Sequence, residues 1–142
     1  MADPRNAVAF EGIGAVYQTF KTDNSTIVYD ATKAGGSAQV GLAVTLSADG
    51  TVALTADGDA VTGKLILVES DNKANVQVRG GMSLAAGASA SVTRGKKVVG
   101  ALGASSARGY IREVATGTAA ELGKARGEIL DNSDTTSVVV DL

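Results

Sequence analysis

Lys64-Leu65-Ile66-Leu67-Val68-Glu69-Ser70-Asp71-Asn72-Lys73-Ala74-Asn75-Val76-Gln77-Val78-Arg79 is the stretch on which the fold class turns. Residues 64–69 are rich in branched apolar side chains, and residues 74–79 alternate apolar with polar, placing Val76 and Val78 on one face. Between them Asp71-Asn72-Lys73 supplies turn chemistry, so the stretch predicts an antiparallel hairpin. Upstream, Ala43–Leu46 and Thr51–Thr55 flank Ser47-Ala48-Asp49-Gly50, an Asp-Gly pair that signals a second tight hairpin. Asp57-Gly58-Asp59 marks the next turn. Downstream, residues 89–94, 97–99, 109–114 and 137–140 read as further short strands. Only Thr118–Lys124 has the Ala, Glu and Leu content of a helix, one or two turns long.

Seven or more short strands at this spacing predict a mainly β protein, a small β-barrel or sandwich with at most one short helix near residues 118–124. A parallel α/β fold lacks the crossover helices it would need. A weak internal echo links Ala107-Arg108-Gly109-Tyr110-Ile111 to Ala125-Arg126-Gly127-Glu128-Ile129, two places where equivalent strands could begin. The 142 residues suit one domain with a core of useful size.

Four of the five aromatic residues, Phe10, Tyr17, Phe20 and Tyr29, fall in the first thirty positions, and Tyr110 is the fifth. Aromatic side chains bury the most area and dominate interfaces as well as cores. The polar, irregular start therefore reads as an extended N-terminal arm over residues 1–35, followed by a β-rich body over residues 36–142 that fills its core with Val, Ile, Leu and Ala. Phe10, Tyr17, Phe20 and Tyr29 become candidate partner anchors. For Tyr17 and Phe20 a first strand packed on the body's own core is an equal alternative.

The chain contains no His and no Cys, so it has no imidazole base, no thiolate and neither soft zinc ligand. The residues assemble no recognisable catalytic site, and no enzyme activity, cofactor or metal is expected. The N-terminus lacks the pattern of a signal peptide, and the apolar runs are too short for a membrane helix. Asn24-Ser25-Thr26 fits a glycosylation sequon but reads as a polar turn. Gly95-Lys96-Lys97 lacks both the upstream Gly and the Ser or Thr of a phosphate loop, and Asp57 with Asp59 reads as an ordinary β-turn.

Charge is concentrated in the middle of the chain. From Asn72 through Arg112 there is no acid but there are seven bases, Lys73, Arg79, Arg94, Lys96, Lys97, Arg108 and Arg112. Residues 1–71 carry nine acids and four bases, and residues 113–142 carry six acids and two bases. Either the flanking acids fold beside this band and leave a mixed surface, or the band meets an acidic partner surface through Arg94, Lys96, Lys97, Arg108 and Arg112. Nucleic acid is the weaker partner, because the band has one aromatic residue and no recognition helix.

The stretches Gly41-Leu42-Ala43-Val44-Thr45-Leu46, Val61-Thr62-Gly63-Lys64-Leu65-Ile66-Leu67-Val68-Glu69, Val76-Gln77-Val78-Arg79-Gly80, Gly95-Lys96-Lys97-Val98-Val99-Gly100 and Arg108-Gly109-Tyr110-Ile111-Arg112 together resemble tailed-bacteriophage capsid decoration, or cement, proteins. Ala119-Ala120-Glu121, Ala125-Arg126-Gly127 and Asp134-Thr135-Thr136-Ser137-Val138-Val139-Val140 are similar as well. The resemblance covers about residues 36–142 and is a pattern of strands and glycines without a chemical signature.

The resemblance implies a β-rich structural protein on the outer surface of the virion's capsid, made in the host cytoplasm. It would bind the expanded head, bridge major capsid protein subunits and form a homo-oligomer, with a trimer favoured over a dimer. The alternative is a virion-surface receptor- or glycan-binding β-module, which would need an exposed aromatic platform where the body offers only Tyr110.

Overall fold

A computed structural model of the chain describes residues 14–115 and 118–142. Among these residues, ten short strands, β1 (Val16–Thr22), β2 (Ala43–Ala48), β3 (Thr51–Leu54), β4 (Gly63–Val68), β5 (Lys73–Arg79), β6 (Gly81–Leu84), β7 (Val98–Ala101), β8 (Tyr110–Glu113), β9 (Glu128–Asp131) and β10 (Val138–Asp141), are joined by turns, with one short helix, α1 (Ala119–Leu122). The protein is mainly β, as the sequence predicts, and the helix falls inside the expected window.

Strands β1–β5 close into a barrel in the order β1-β3-β2-β4-β5. Five is an odd number, so neighbouring strands cannot alternate in direction all the way around and one pair must run parallel. That pair is β1 with β3, joined only at Lys21↔Thr51 and Thr22↔Val52. The other four pairs are antiparallel. The predicted hairpins are β2–β3 and β4–β5. At the first, Gly50 takes a φ of 64° and the register slips between Leu46 and Ala48, so the turn closes with a bulge. At the second, Asn72 takes the positive φ and the Glu69 N–H donates to the Lys73 carbonyl at 2.8 Å.

The barrel interior holds Ile27, Val44, Val52, Leu54, Leu65, Val68, Ala74, Val76 and Val78, with Phe20, Tyr29 and Leu42 packed against it. The segment read as an arm therefore contributes a barrel strand and, through Ile27, a fully buried core side chain. Of the two readings offered for Phe20, the strand packed on the body holds. The physical reason is closure. Without β1, strands β3 and β5 would both be open edges beside an uncovered core.

A second layer packs on the barrel. Its three-stranded sheet, β6-β10-β9, and its hairpin, β7-β8, are antiparallel throughout. They enclose a second core of Ala43, Val61, Met82, Leu84, Val98, Ile111, Ile129, Val138 and Val140. The start of β2 serves both cores. Successive residues of a strand face opposite sides, so Val44 points into the barrel while Ala43 points into the second layer, and neither is exposed.

Residues 89–94, expected as a strand, are turns and irregular chain instead. Ser89 adopts a φ of 54°, and the Ala90 and Lys96 N–H groups bond back to Gly87 and Thr93 in turn fashion. The sequence pattern predicts no full strand at β6 or β9, since four residues beside glycines carry little pattern. The echo at 107–111 and 125–129 does mark two equivalent strand starts. Gly109 and Gly127 have φ of 98° and 68°, and Ile111 and Ile129 then point into the same core.

Arg126 joins the layers. Its backbone pairs with Val98, while its guanidinium donates to the carbonyls of Val61 at 3.1 Å, Thr62 at 3.0 Å and Val78 at 2.8 Å. Burial, and then the nearby charge of Arg79, pull its pKa below the ordinary guanidinium value. Five rigidly forked donors suit a set of converging carbonyls better than an ammonium does. Replacing Arg126 with Ala strands these acceptors, each costing about 1–3 kcal/mol if it stays dry. Arg126→Ala is expected to lower unfolding free energy by about 2–4 kcal/mol, and Arg126→Lys to recover only part of that loss. Urea midpoints at unchanged slope would check both.

Candidate interaction surface

Lys73 and Arg79 stand at the two ends of β5, and the other five basic residues of the band are spread around the β7–β8 hairpin. Arg94, Lys96 and Lys97 are exposed on the turn leading into β7. This turn is tied down by its backbone. The Gly95 N–H donates to the Ile129 carbonyl, and the Lys96 and Lys97 carbonyls accept from Ile129 and Val114, all at 2.9 Å. Arg108 is exposed at the opposite end of the hairpin, because β7 and β8 pair from Val98↔Glu113 to Ala101↔Tyr110. A four-residue strand is about 13 Å long, so Arg108 stands apart from the other three.

Acids from the C-terminal flank fold beside the basic turn. A Glu113 carboxylate oxygen accepts the Thr93 N–H at 2.8 Å, and a Glu128 carboxylate oxygen stands 4.0 Å from where a β-carbon on Gly95 would lie. Asp131 is held below the usual carboxylate range by hydrogen bonds from the Ser133 backbone and hydroxyl, with a smaller contribution from Arg94. At this turn the cations thus have acidic neighbours, the mixed arrangement anticipated as the simpler reading of the charge band.

Arg112 differs from the other four. It lies on β8 with its side chain 20% exposed, donates to Asp57 at 2.9 Å, and forms a forked pair with Glu121 on α1 at 2.5 and 3.1 Å. These two carboxylates raise its pKa further. Glu121 in turn is lowered to about 2, chiefly by the Arg112 hydrogen bond and then by the Ala115 N–H. Arg112 therefore spends its donors within the chain, clamping α1 and the 56–59 turn to β8. Asp59 accepts the Ala56 N–H at 2.8 Å, so Asp57-Gly58-Asp59 is the expected turn and each carboxylate has a structural partner.

Among the four aromatic candidates, Phe10 lies outside the described residues. Phe20 and Tyr29 pack on the barrel core, and Tyr17 is 51% exposed on β1. Tyr110 covers Gly103, where a β-carbon would come within 2.6 Å of the ring. Other exposed apolar side chains escaped the sequence reading: Val16, Val28, Leu46, Leu67 and Leu122. Leu46 and Leu67 lie at register slips in β2 and β4, where a bulge breaks the simple alternation of facing. No residue type announces these bulges in advance.

The Asn24-Ser25-Thr26 segment is a polar turn. The Asp23 carboxylate accepts from the backbone of Ser25, Thr26 and Ile27 and from the Thr26 hydroxyl. Burial opposes the Asp23 charge, but these bonds outweigh it and hold the group below its usual range. Among the described residues, no group of three or more potential metal-ligating side chains converges, and no helix is long and apolar enough to cross a membrane. The fold and surface together define a closed five-stranded β-barrel with a second antiparallel layer and uncovered apolar side chains on its walls. No protein-family model, curated protein or solved structure matches the chain.

The clamp has a pH signature. Glu121 has a lower pKa folded than its ordinary 4.5, so its stabilising contribution is complete above that value and fades as pH falls from 4.5 through about 2. Glu121→Gln should be less stable than the parent near neutral pH and should lose less stability across that acid window. Urea midpoints measured from pH 7 down to pH 2 would test this, with convergence of the two proteins at the acid end.

Proposed function

We propose that this chain is a structural virion protein that binds the outer surface of the expanded phage head and cements neighbouring major capsid protein subunits. The carrying observation is the apolar surface that folding leaves uncovered, with Tyr17 51%, Leu46 54% and Val28 51% exposed. Large side chains left in water on a small β protein suit a contact with another protein. The stretches that resemble decoration proteins fall largely on β2, β4, β5, β7, β8 and β10, so the likeness resides in the barrel and the layer packed on it.

In this reading the protein acts by adhesion, with no chemical step and no cofactor. It is made in the host cytoplasm and resides on the capsid exterior. A homo-oligomer, trimer before dimer, engages several capsid subunits at once and gains avidity without a tight individual contact. Tyr17 is the aromatic anchor among the described residues, and Arg94, Lys96 and Lys97 steer approach to an acidic shell surface. Arg108 adds to the steering from the far end of the hairpin, whereas Arg112 is kept for the fold. Neither membrane nor nucleic acid is a partner.

Cosedimentation with expanded, undecorated heads, counting bound copies per major capsid protein, tests the proposal. Saturation at a fixed symmetric ratio is expected, and absence of binding by folded protein to intact heads would overturn it. Tyr17→Ala should weaken binding about 30-fold, the equivalent of roughly 2 kcal/mol. Raising salt should slow association of the parent, and Lys96→Glu with Lys97→Glu should flatten that dependence, because exposed charges act over about 8 Å at physiological ionic strength. Added double-stranded DNA should not compete.

A further inference from the structure

We propose that two copies of this chain pair edge to edge through β1, antiparallel about a two-fold axis at Gln18. The inference rests on backbone geometry and is independent of the shell-binding reading.

Strand β5 pairs with β1 from Val16 to Lys21, whereas β3 reaches it only at Lys21 and Thr22. The direction of the backbone groups follows from the bonds at the upper end. Lys21 and Asp23 donate their N–H groups toward β3 and its turn, to Gly50 at 2.8 Å and Val52 at 3.1 Å, while Thr22 donates the other way, to Asn72 at 3.0 Å. Alternation along the strand then aims the N–H and C=O of Thr19 and Tyr17 at the side where β3 has already ended. No described residue meets them there.

Proteins blunt such edges with Lys, Pro or inward charges. Here Gly14-Ala15-Val16-Tyr17-Gln18-Thr19-Phe20 contains neither a charge nor a proline, and Val16 through Thr19 are all exposed. An uncharged stretch that no described residue pairs with on this side is a template for another strand.

The occupant is a second copy because the edge complements itself. With Gln18 opposite Gln18, Tyr17 of each copy faces Thr19 of the other. These two hydrogen-bonded pairs use every outward N–H and C=O of both residues, four bonds in all by the antiparallel pattern. Val16 then lies across from Phe20, and Lys21 across from uncharged Ala15. Moving the axis to Thr19 would bring Tyr17 against Lys21, whose N–H already bonds to Gly50. Moving it to Tyr17 would set Thr19 against Ala15, beyond the register slip between Val16 and Tyr17.

The axis makes Gln18 face its own copy across a non-hydrogen-bonded pair, where α-carbons lie about 4.5 Å apart. Like charges there oppose pairing and opposite charges favour it. Sedimentation equilibrium would be run on the parent, Gln18→Lys, Gln18→Glu and an equimolar mixture of the two variants. Both substitutions sit on an exposed side chain and keep the Gln18 backbone bonds to β5, so urea midpoints should stay near the parent's.

The parent should associate with rising concentration through a step that doubles its mass, toward twice 14.1 kDa for a single pair. Each variant alone should weaken that step at least tenfold, and the mixture should restore it. A parent lacking a doubling step, a step unchanged by both substitutions, or a mixture that fails to recover would each overturn the pairing. If self-association is unchanged and only head binding is lost, the edge belongs to a strand of the shell.

Discussion

Closure of an odd-stranded barrel is the constraint from which the rest of the molecule follows. One of the five contacts must be parallel, and the chain places it between β1 and β3, where only two residue pairs form. This short seam closes the barrel beside Val52, a core residue, and leaves the lower half of β1 reaching past it. Elsewhere the walls approach closely. A β-carbon on Gly63 would stand 2.1 Å from the Gln77 carbonyl oxygen, so glycine is required where β4 packs onto β5. The same geometry that completes the interior thus creates the exposed edge.

The second layer depends on a polar joint as much as on apolar contact. Val61, Thr62 and Val78 present carbonyls at the barrel's lower end that the strand ladders do not use, and Arg126 collects them with one planar group. The Arg-Gly pairs before β8 and β9 occupy equivalent places but diverge in use. Arg108 points to solvent, whereas Arg126 turns into the joint. The difference lies in what each side chain meets: Arg126 faces converging acceptors, and Arg108 sits in an exposed loop after the 3-10 turn at Ala104–Ser106.

Electrostatics divides the basic centre of the chain into separate tasks. Arg112 holds α1 through Glu121 and the 56–59 turn through Asp57, one carboxylate from each acidic flank, while Arg94, Lys96 and Lys97 share a turn with Glu113, Glu128 and Asp131 nearby. Charges well separated in sequence become neighbours because β7, β8 and β9 converge there. The proposed adhesion would draw on several modest contacts more than on a single strongly charged face, since exposed ion pairs contribute little individually.

The sequence by itself determined the β class, the two central hairpins, the turns at Asp49-Gly50, Asp57-Gly58-Asp59 and Asn72, and the short helix within residues 118–124, because each rests on local periodicity or on a residue's own φ preference. The equivalent strand starts at Gly109 and Gly127 were legible for the same reason. Tertiary structure alone decided that residues 16–22 close the barrel, that Phe20 and Tyr29 turn inward while Tyr17 stays exposed, and that residues 89–94 leave the strand pattern. It also decided that Arg112 and Arg126 belong to the fold, not the surface. Those outcomes depend on which distant carbonyls, carboxylates and strand edges meet a side chain, and the order of residues along a chain encodes such meetings only through the whole fold.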